Sequence, residues 1–335
     1  MSSVSIHLVT WNSQKFLSDC LSAIFNQTYK DFSVVIVDNA SSDGTIEYLE
    51  KNYPSVYLIR NAKNLGFAEA HNQAITLTSA PYILVINPDV ILERDWLEKV
   101  VEIMEKDDQI ASAGGKTLKI RFGDMEIQEK IKTSIIDSAG FKIYKNRRVV
   151  DRGEGGEDEG QYDKGEEVFG LSGSCILYRR LALEDVKLKI VNCKLKIDEY
   201  FDEDFFAYKE DIDLAWRLRL RGWKSIYLPE AKAYHFRQVS APKRFSHSHW
   251  VNFLSYRNHL WTFLKNDYWR NFFRHFWFIF WYQLTKELYL LFTQPLVLFK
   301  ASFSFWQGFL KMYKKRKYIL KRGKIKAKEI RKWMK

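Results

Sequence analysis

The sequence predicts an α/β protein built on a parallel sheet, and three observations carry that expectation. In the first 110 residues, short β-branched runs alternate with segments of helical periodicity. The runs are apolar on both faces, as strands covered by helices on each side must be. Polar clusters follow three of them, at Thr10-Trp11-Asn12, at Asp38 to Gly44 and at Asn87-Pro88-Asp89. In such sheets ligands bind beyond the carboxyl ends of the strands, so these clusters are expected to converge.

The elements follow in order. Val4–Val9 reads as a strand and Ser13–Phe25 as a helix with Ser13 at its N-cap. Ser33–Val37 is a nearly all-apolar strand ending at Asp38, and Asp43–Asn52 reads as a helix. Val56–Ile59 (strand), Ala68–Leu77 (helix), Tyr82–Ile86 (strand) and about Arg94–Lys106 (helix) complete the alternation. Residues 121–167 break it. Their acidic, glycine-rich stretch Arg152 to Gly160 suits either a lid or a solvated hairpin tip. Regular pattern resumes at Val168, where Gly170-Leu171-Ser172-Gly173-Ser174-Cys175 leads into an apolar strand ending at Tyr178.

Composition removes several function classes. The chain has 335 residues, ample for a large core. Its three cysteines, Cys20, Cys175 and Cys193, form neither a C-x-x-C pair nor a metal spacing, which fits a reducing compartment. The N-terminus shows no basic leader before an apolar run, so the body is expected in the cytoplasm. The net charge of +12 invites a nucleic-acid reading until it is located. Residues 311–335 hold 13 Lys and Arg against one acid, Glu329, so residues 1–310 sum to zero. A neutral body argues against a groove that tracks a phosphate backbone. No nucleic acid is expected.

Aromatic residues are as unevenly placed. Of 53 Phe, Trp and Tyr, 20 lie between Trp261 and Tyr313, directly before the basic cluster. An aromatic stretch followed by Lys and Arg is the composition of an anchor on an anionic membrane surface. Its interruptions favour monotopic insertion over a distorted span or hairpin. Phe276–Thr285, Leu288–Phe299 and Ala301–Leu310 are separated by Lys286 with Glu287 and by Lys300. A spanning helix needs about 20 mostly apolar residues, and a mid-membrane Lys costs about 2.5–3.5 kcal/mol. The alternative is a helical subdomain packed on the body, or a homodimer interface.

No G-x-G-x-x-G, G-x-x-x-x-G-K-[ST], G-x-S-x-G or H-E-x-x-H occurs, which removes the commonest dehydrogenase, nucleotidase, serine-hydrolase and zincin readings. What remains is carboxylates at strand ends and one acidic–aromatic block, Tyr200 to Trp223. Within it Glu210 and Asp211 open a helix whose apolar face is Ile212, Leu214, Ala215, Trp216 and Leu218. Taken alone, acids at a helix start are commonly dipole complements.

Taken in order, the blocks resemble inverting glycosyltransferases of family 2. The matching text is V-T-W-N (9–12), V-D-N-A-S-S-D-G-T (37–45), N-L-G-F-A-E-A-H-N (64–72), N-P-D (87–89), the block 201–223, and His235 with Ser240. D-S-A-G (137–140), D-R-G (151–153), G-Q-Y-D (160–163) and Arg257-Asn258 look like the rhamnosyltransferase-type branch. The resemblance covers about residues 4–265 and implies a GT-A fold, a Rossmann-like mixed sheet flanked by helices. It divides the chain into a nucleotide-sugar-binding half (1–110), an acceptor and catalytic half (111–265), aromatic membrane-associated helices (266–310) and a polybasic tail (311–335).

Roles carried over by position follow from that resemblance. Asp38 would accept the imide N–H of a pyrimidine base, with Thr10, Asn12 and Asn39 lining the nucleotide pocket. Asp43, Asn64, Gly66 and Phe67 would lie near base and ribose, and Asn87 would belong to the nucleotide-sugar site. Asp89 would bind Mg²⁺ or Mn²⁺, with His235 close to that metal or to the diphosphate; a structural histidine is the alternative. Many relatives carry D-x-D where this chain has Asn87-Pro88-Asp89, and one carboxylate with substrate phosphates can still hold Mg²⁺. Inversion needs a general base opposite the leaving group. Asp211 is the choice by position, Glu210 the substitute and Asp213 structural. Gly173, Asp202 and Asp204 would face the acceptor. His71, His247, His249 and His259 receive no role. The implied reaction moves a sugar, dTDP-rhamnose first and UDP-hexose or UDP-N-acetylhexosamine next, to a lipid-linked glycan at the cytoplasmic face of the membrane. A non-catalytic scaffold that binds nucleotide sugars is the rival.

Overall fold

The computed structural model of the chain describes residues 2–122, 130–192, 195–236 and 248–335. Cys193, Ser240 and His247 lie outside the described residues. The first half alternates as its periodicity dictates: β1 (Val4–Thr10), α1 (Gln14–Phe25), β2 (Phe32–Asp38), α2 (Thr45–Asn52), β3 (Tyr57–Arg60), α3 (Gly66–Leu77), β4 (Tyr82–Ile86), β5 (Val90–Leu92) and α4 (Trp96–Lys106). There follow β6 (Ile110–Phe122), β7 (Lys130–Ser138), β8 (Phe141–Ile143), β9 (Val149–Asp151), β10 (Glu166–Glu167), β11 (Cys175–Arg179), α5 (Arg180–Val186), β12 (Leu188–Asn192) and β13 (Leu195–Glu199). A single 3₁₀ turn (Glu203–Phe205) leads to α6 (Glu210–Arg221) and β14 (Lys224–His235). The rest is helical: α7 (His249–Asn266), α8 (Trp269–Arg274), α9 (Phe276–Thr293), α10 (Pro295–Arg322) and α11 (Ala327–Arg331).

The main sheet runs β10-β14-β6-β11-β4-β1-β2-β3, with β5 paired to β14 and β7 to β6. Strands β1 to β4 are mutually parallel, as expected. The sheet as a whole is mixed, because β11 runs antiparallel to both β4 and β6. Parallel neighbours need a crossover of a dozen or more residues, usually a helix, and among the described residues no helix lies between β6 and β11. The reversal positions the site. It brings the start of β11 to the carboxyl end of β4, with Cys175 opposite Ile86 and the Asn87 N–H donating to Ser174 O at 2.9 Å. Likewise β14 pairs antiparallel with β5, setting His235 opposite Val90 and beside Asp89.

Each face of the sheet is covered by apolar packing. One side holds Leu17, Leu21, Trp96, Val100 and Met104 of α1 and α4, the other Ile75, Leu183, Leu214 and Leu218 of α3, α5 and α6. The expected Ser13 cap is not formed: its hydroxyl turns back to Trp11 O. Asp43 does this work instead, accepting from the Gln14 N–H at 3.1 Å. The stretch 152–160 is a loop hydrogen-bonded along β7. Ile136 and Gly155–Gly156 exchange backbone bonds, and Lys116, buried in β6, pairs with Asp158 and Asp163.

The expected boundary between aromatic helices and a free basic tail is corrected. Position 310/311 falls inside α10, and residues 311–335 pack on the body. Ile319, Ile330 and Met334 join Phe169, Ile212 and Trp216 in one core cluster. Burial of each such side chain stabilises by about 1.5–3 kcal/mol, enough to hold the basic segment in place. Lys315 and Arg316 are buried, while Lys314, Lys317 and Lys321 on the same helix are exposed. Helical period explains the split: a helix presents one stripe to the core and leaves the rest outside.

Candidate active site

At the ends of β1 and β2 the polar residues bind one another. Asp38 is fully buried; its Oδ1 accepts from Thr10 Oγ1 (2.8 Å) and Ser41 Oγ (2.5 Å), and its Oδ2 from the Ser41 N–H (2.9 Å). These bonds hold the 39–45 loop against β1. Asn39, also buried, donates to Gly66 O at 3.0 Å, joining this loop to α3. Asn12 is exposed, its Oδ1 accepting from the Ser42 N–H at 2.8 Å. Asn12 and Ala40 take left-handed backbone, φ 53° and 61°, a conformation side-chain-bearing residues hold only where neighbours impose it. Asp43 bridges two helix starts, with Thr45 as well as Gln14. Against the cost of burial, the bonds from Thr45 and Gln14 hold its carboxyl below the usual range. Trp11, 58% exposed, forms the rim.

Gly66 opens α3 and must be glycine. Its φ is +84°, and a Cβ there would meet Phe206 O at 2.5 Å. The Asn64 side chain accepts from its N–H at 2.8 Å. That close approach lets Phe206 O accept from the N–H of Phe67 (2.7 Å) and Ala68 (3.2 Å), so the acidic block caps a helix of the first half.

Across the cleft Asp211 Oδ2 accepts from the Gly173 N–H at 3.0 Å. A Cβ on Gly173 would lie 3.2 Å from Asp211 Cβ and 3.6 Å from the Phe67 ring, so Gly173, Asp211 and Phe67 meet at one point. Asp211 is half-buried and Glu210 buried, and Glu210 Oε2 has no partner among the described residues. Burial first, and then the neighbouring Asp211, push the Glu210 carboxyl up to about 8. Asp211 is also raised by burial, while the Gly173 N–H and Lys209 act the other way. Two adjacent buried carboxylates do not both ionise readily. The proton belongs on Glu210, which has no donor to its orphaned oxygen, leaving Asp211 as the available carboxylate.

Asp89 and His235 stand together, Asp89 Oδ1 lying 3.4 Å from His235 Nε2. The other ring nitrogen bonds Asp137 Oδ2 at 2.8 Å. Burial disfavours a charge on His235, but Asp89 and Asp137 outweigh it and push the imidazole up to about 10. Asp137 is the partner that residue-by-residue reading missed. Its signal was the D-S-A-G text at 137–140, which marks the branch without saying that Asp137 would face His235. Among the described residues no cluster of three or more His, Cys, Asp or Glu is spaced to hold a metal. The donor set nevertheless suits a divalent cation that takes the rest of its shell from a diphosphate: a carboxylate, and an imidazole oriented by a second carboxylate.

Asp202 and Asp204, expected to face the acceptor, are engaged elsewhere. Asp202 is fully buried between Lys265 and Lys315. Despite burial, those two ammonium groups hold its carboxyl far below the usual range. Asp204 pairs with Lys311 at 2.5 Å and Lys315 at 2.8 Å. Asp213 is buried against Arg217, Lys265 and Asn266, the structural place expected of it.

The comparisons with known proteins bear on the family and on the fold. Residues 5–187 match the family described as Glycosyl transferase family 2. The N-acetylglucosaminyl-diphospho-decaprenol L-rhamnosyltransferase of Mycobacterium tuberculosis is 27% identical over 244 residues, 69% of this chain and 75% of that protein. The poly-beta-1,6-N-acetyl-D-glucosamine synthase of Staphylococcus aureus is 25% identical over 68% of this chain, which is 48% of its own length. Among solved structures, GalNAc-T7 with UDP, GalNAc and Mn²⁺ superposes with a TM-score of 0.57 at 12% identity, over 79% of this chain and 48% of that one. S. aureus TarS 1–349 in complex with UDP gives 0.50 at 17% identity, over 79% and 67%. These two likenesses concern the fold, and it is the GT-A arrangement. With more than half its length matched by the family's sequence pattern, the chain belongs to glycosyl transferase family 2.

Proposed function

We propose that this protein is an inverting glycosyltransferase that moves a sugar from a nucleoside diphosphate sugar, dTDP-rhamnose as first candidate, to a hydroxyl of a lipid-linked or polysaccharide acceptor. The observation that carries the reading is the meeting of Asp211 with Gly173 and Phe67 at the mouth of the strand-end cleft. The donor's nucleotide lies over the ends of β1 and β2, against Trp11, Asn12 and the 39–45 loop. Its diphosphate lies toward Asn87, Asp89 and His235. Asp211 takes the proton of the attacking hydroxyl as the new bond forms on the face of the sugar opposite the leaving diphosphate. Glu210 stays protonated and keeps the second negative charge out of the site. Mg²⁺ or Mn²⁺, held by Asp89 and His235, would supply charge neutralisation of the departing diphosphate; the imidazolium of His235 is the alternative source of positive charge.

The rhamnosyltransferase relative supports both the donor sugar and a lipid-linked acceptor, and the poly-N-acetylglucosamine relative keeps UDP sugars as the alternative. Calorimetry and turnover with a panel of sugar nucleotides, each with Mg²⁺, Mn²⁺ or EDTA, decide between them. dTDP-rhamnose binding at least about tenfold tighter than UDP sugars, a difference of about 1.4 kcal/mol, is the expected result. Preference for a UDP sugar moves the donor. Binding without turnover of any leaves the scaffold reading, and turnover undiminished by EDTA leaves His235 as the charge that matters.

The aromatic helices are proposed to hold the protein on an anionic membrane surface at the cytoplasmic face. Only Ile279 and Leu290 of α9 are buried, while Trp277, Phe292, Phe303, Trp306 and Leu310 are each at least 66% exposed. Exposed Arg270, Arg274, Lys300 and Lys314 accompany them. No helix among the described residues is long and apolar enough to cross a membrane. Cosedimentation with phosphatidylglycerol vesicles is expected for the full chain and is lost in a Phe292→Ser, Trp306→Ser double variant. A protein that stays in the supernatant as a homodimer would assign the same face to self-association.

A further inference from the structure

The segment that delivers Asp211 is held from outside the catalytic body. Between the 3₁₀ turn and α6 the backbone takes left-handed conformations at Phe206 (φ 64°), Tyr208 (69°) and Lys209 (73°), none of them glycine. Residues with side chains stay in that region only when surroundings over-determine them. Here the surroundings are two adjacent residues of α7. Asn258, fully buried, directs Nδ2 at three carbonyls of the segment: Phe205 O and Ala207 O at 2.9 Å, and Tyr208 O at 2.8 Å. Its Oδ1 accepts from Arg257 Nε (3.0 Å) and Nη2 (2.9 Å), which fixes the amide's orientation. Arg257 Nη2 also donates to Asp204 O and Phe205 O. Opposite, Phe206 O is bonded by Phe67 and Ala68 of α3. The segment is thus gripped by α7 on one side and by the nucleotide-binding half on the other, and it ends at the acidic pair.

We propose that Asn258 is a positioning residue for the general base: by donating to the 205–208 carbonyls it sets where α6 begins, and so where Asp211 stands against Gly173 and Phe67. The inference rests on the reading of Asp211 as that base. It gives the C-terminal helices a second task, because α7 packs on α10, which carries the exposed aromatic face. An amide is required at 258. A carboxylate of the same shape turns two donors into acceptors aimed at three carbonyl oxygens, while the bonds from Arg257 survive.

The test uses the full-length protein, its donor and its acceptor, with Asn258→Asp as the first variant. Displacing a reacting group by about 1 Å costs about 100-fold in rate. The expected result is a fall of that order in kcat, donor KM and calorimetric donor affinity within about twofold of wild type, and a displaced pH profile of kcat. In an Asp211→Asn background the same substitution is expected to change kcat by less than about twofold, because the group it positions is already gone. An equal 100-fold loss in that background overturns the proposal, and so does a folded Asn258→Asp protein with wild-type kcat and pH profile. Where Asn258→Asp does not fold, Asn258→Ser decides by the same readouts, since its hydroxyl retains one donor and predicts an intermediate loss. If Asp211→Asn alone keeps wild-type turnover, the assignment of the base fails, an outcome distinct from either.

Discussion

Asp211→Asn is expected to lower kcat by about 10²–10⁴-fold, the usual contribution of a positioned base, with donor affinity unchanged. The asparagine retains the size of the side chain and its contact with the Gly173 N–H through Oδ1, so the site remains formed. It has no basic oxygen for the acceptor proton. Glu210→Gln is expected to behave differently, keeping most of the turnover, since Glu210 is buried and carries the proton at neutral pH. Its sign in stability is also fixed. The folded-state carboxyl sits at about 8 against 4.5 unfolded, so the native protein holds a proton that the unfolded chain releases. Stability therefore falls as pH climbs from about 4.5 to about 8, and Glu210→Gln removes that slope. Turnover of the wild type should fall as pH drops through the raised carboxyl of Asp211, the two acids titrating as a pair. A Glu210→Gln variant as inactive as Asp211→Asn would exchange the two assignments; pH–rate profiles and thermal melts of both variants provide the check.

Lys315→Met is expected to destabilise the fold by about 3–5 kcal/mol, the cost of removing one partner from a buried charge cluster. Lys315 lies 5% exposed on α10 among Glu199, Asp202 and Asp204. Methionine fills much of the volume and leaves three carboxylates with less compensation. Glu199, already pushed up to about 7 by burial despite Lys315, then loses its counterion. By contrast Lys106→Met breaks an exposed helix pair with Glu102 and should leave the melting curve unmoved. Denaturant unfolding of the two variants side by side measures the difference. A Lys315→Met protein as stable as wild type would show that α10 is held by its apolar packing rather than by this ion cluster. Replacement of a buried ion cluster by apolar side chains can itself be neutral when all partners change together, so the single substitution is the informative one.

The elements of the first half were legible because their signals are local. A run such as Tyr82–Ile86, apolar on both faces, or Trp96–Lys106 with its 3.6-residue period, specifies its own conformation wherever it packs. The polar clusters at three strand ends were legible for the same reason, and so was the acidic pair at the start of α6. What the sequence by itself could not determine is which carboxylate faces the cleft and which is a counterion. Asp202 and Asp211 lie nine residues apart in one acidic block, yet Lys265 and Lys315 bury the first from 63 and 113 positions away. The bonds that tie Asp38 to the 39–45 loop depended on Ser41 folding back on it. The direction of β11 and the pairing of β5 with β14 decided that Gly173 meets Asp211 and that His235 meets Asp89. Composition likewise marked a basic segment at the C-terminus, but only the helical period of α10 and its contacts separated the buried Lys315 from the exposed Lys314. Propensity acts within a few residues, whereas the environment of a charge is set by whatever the tertiary fold brings to it.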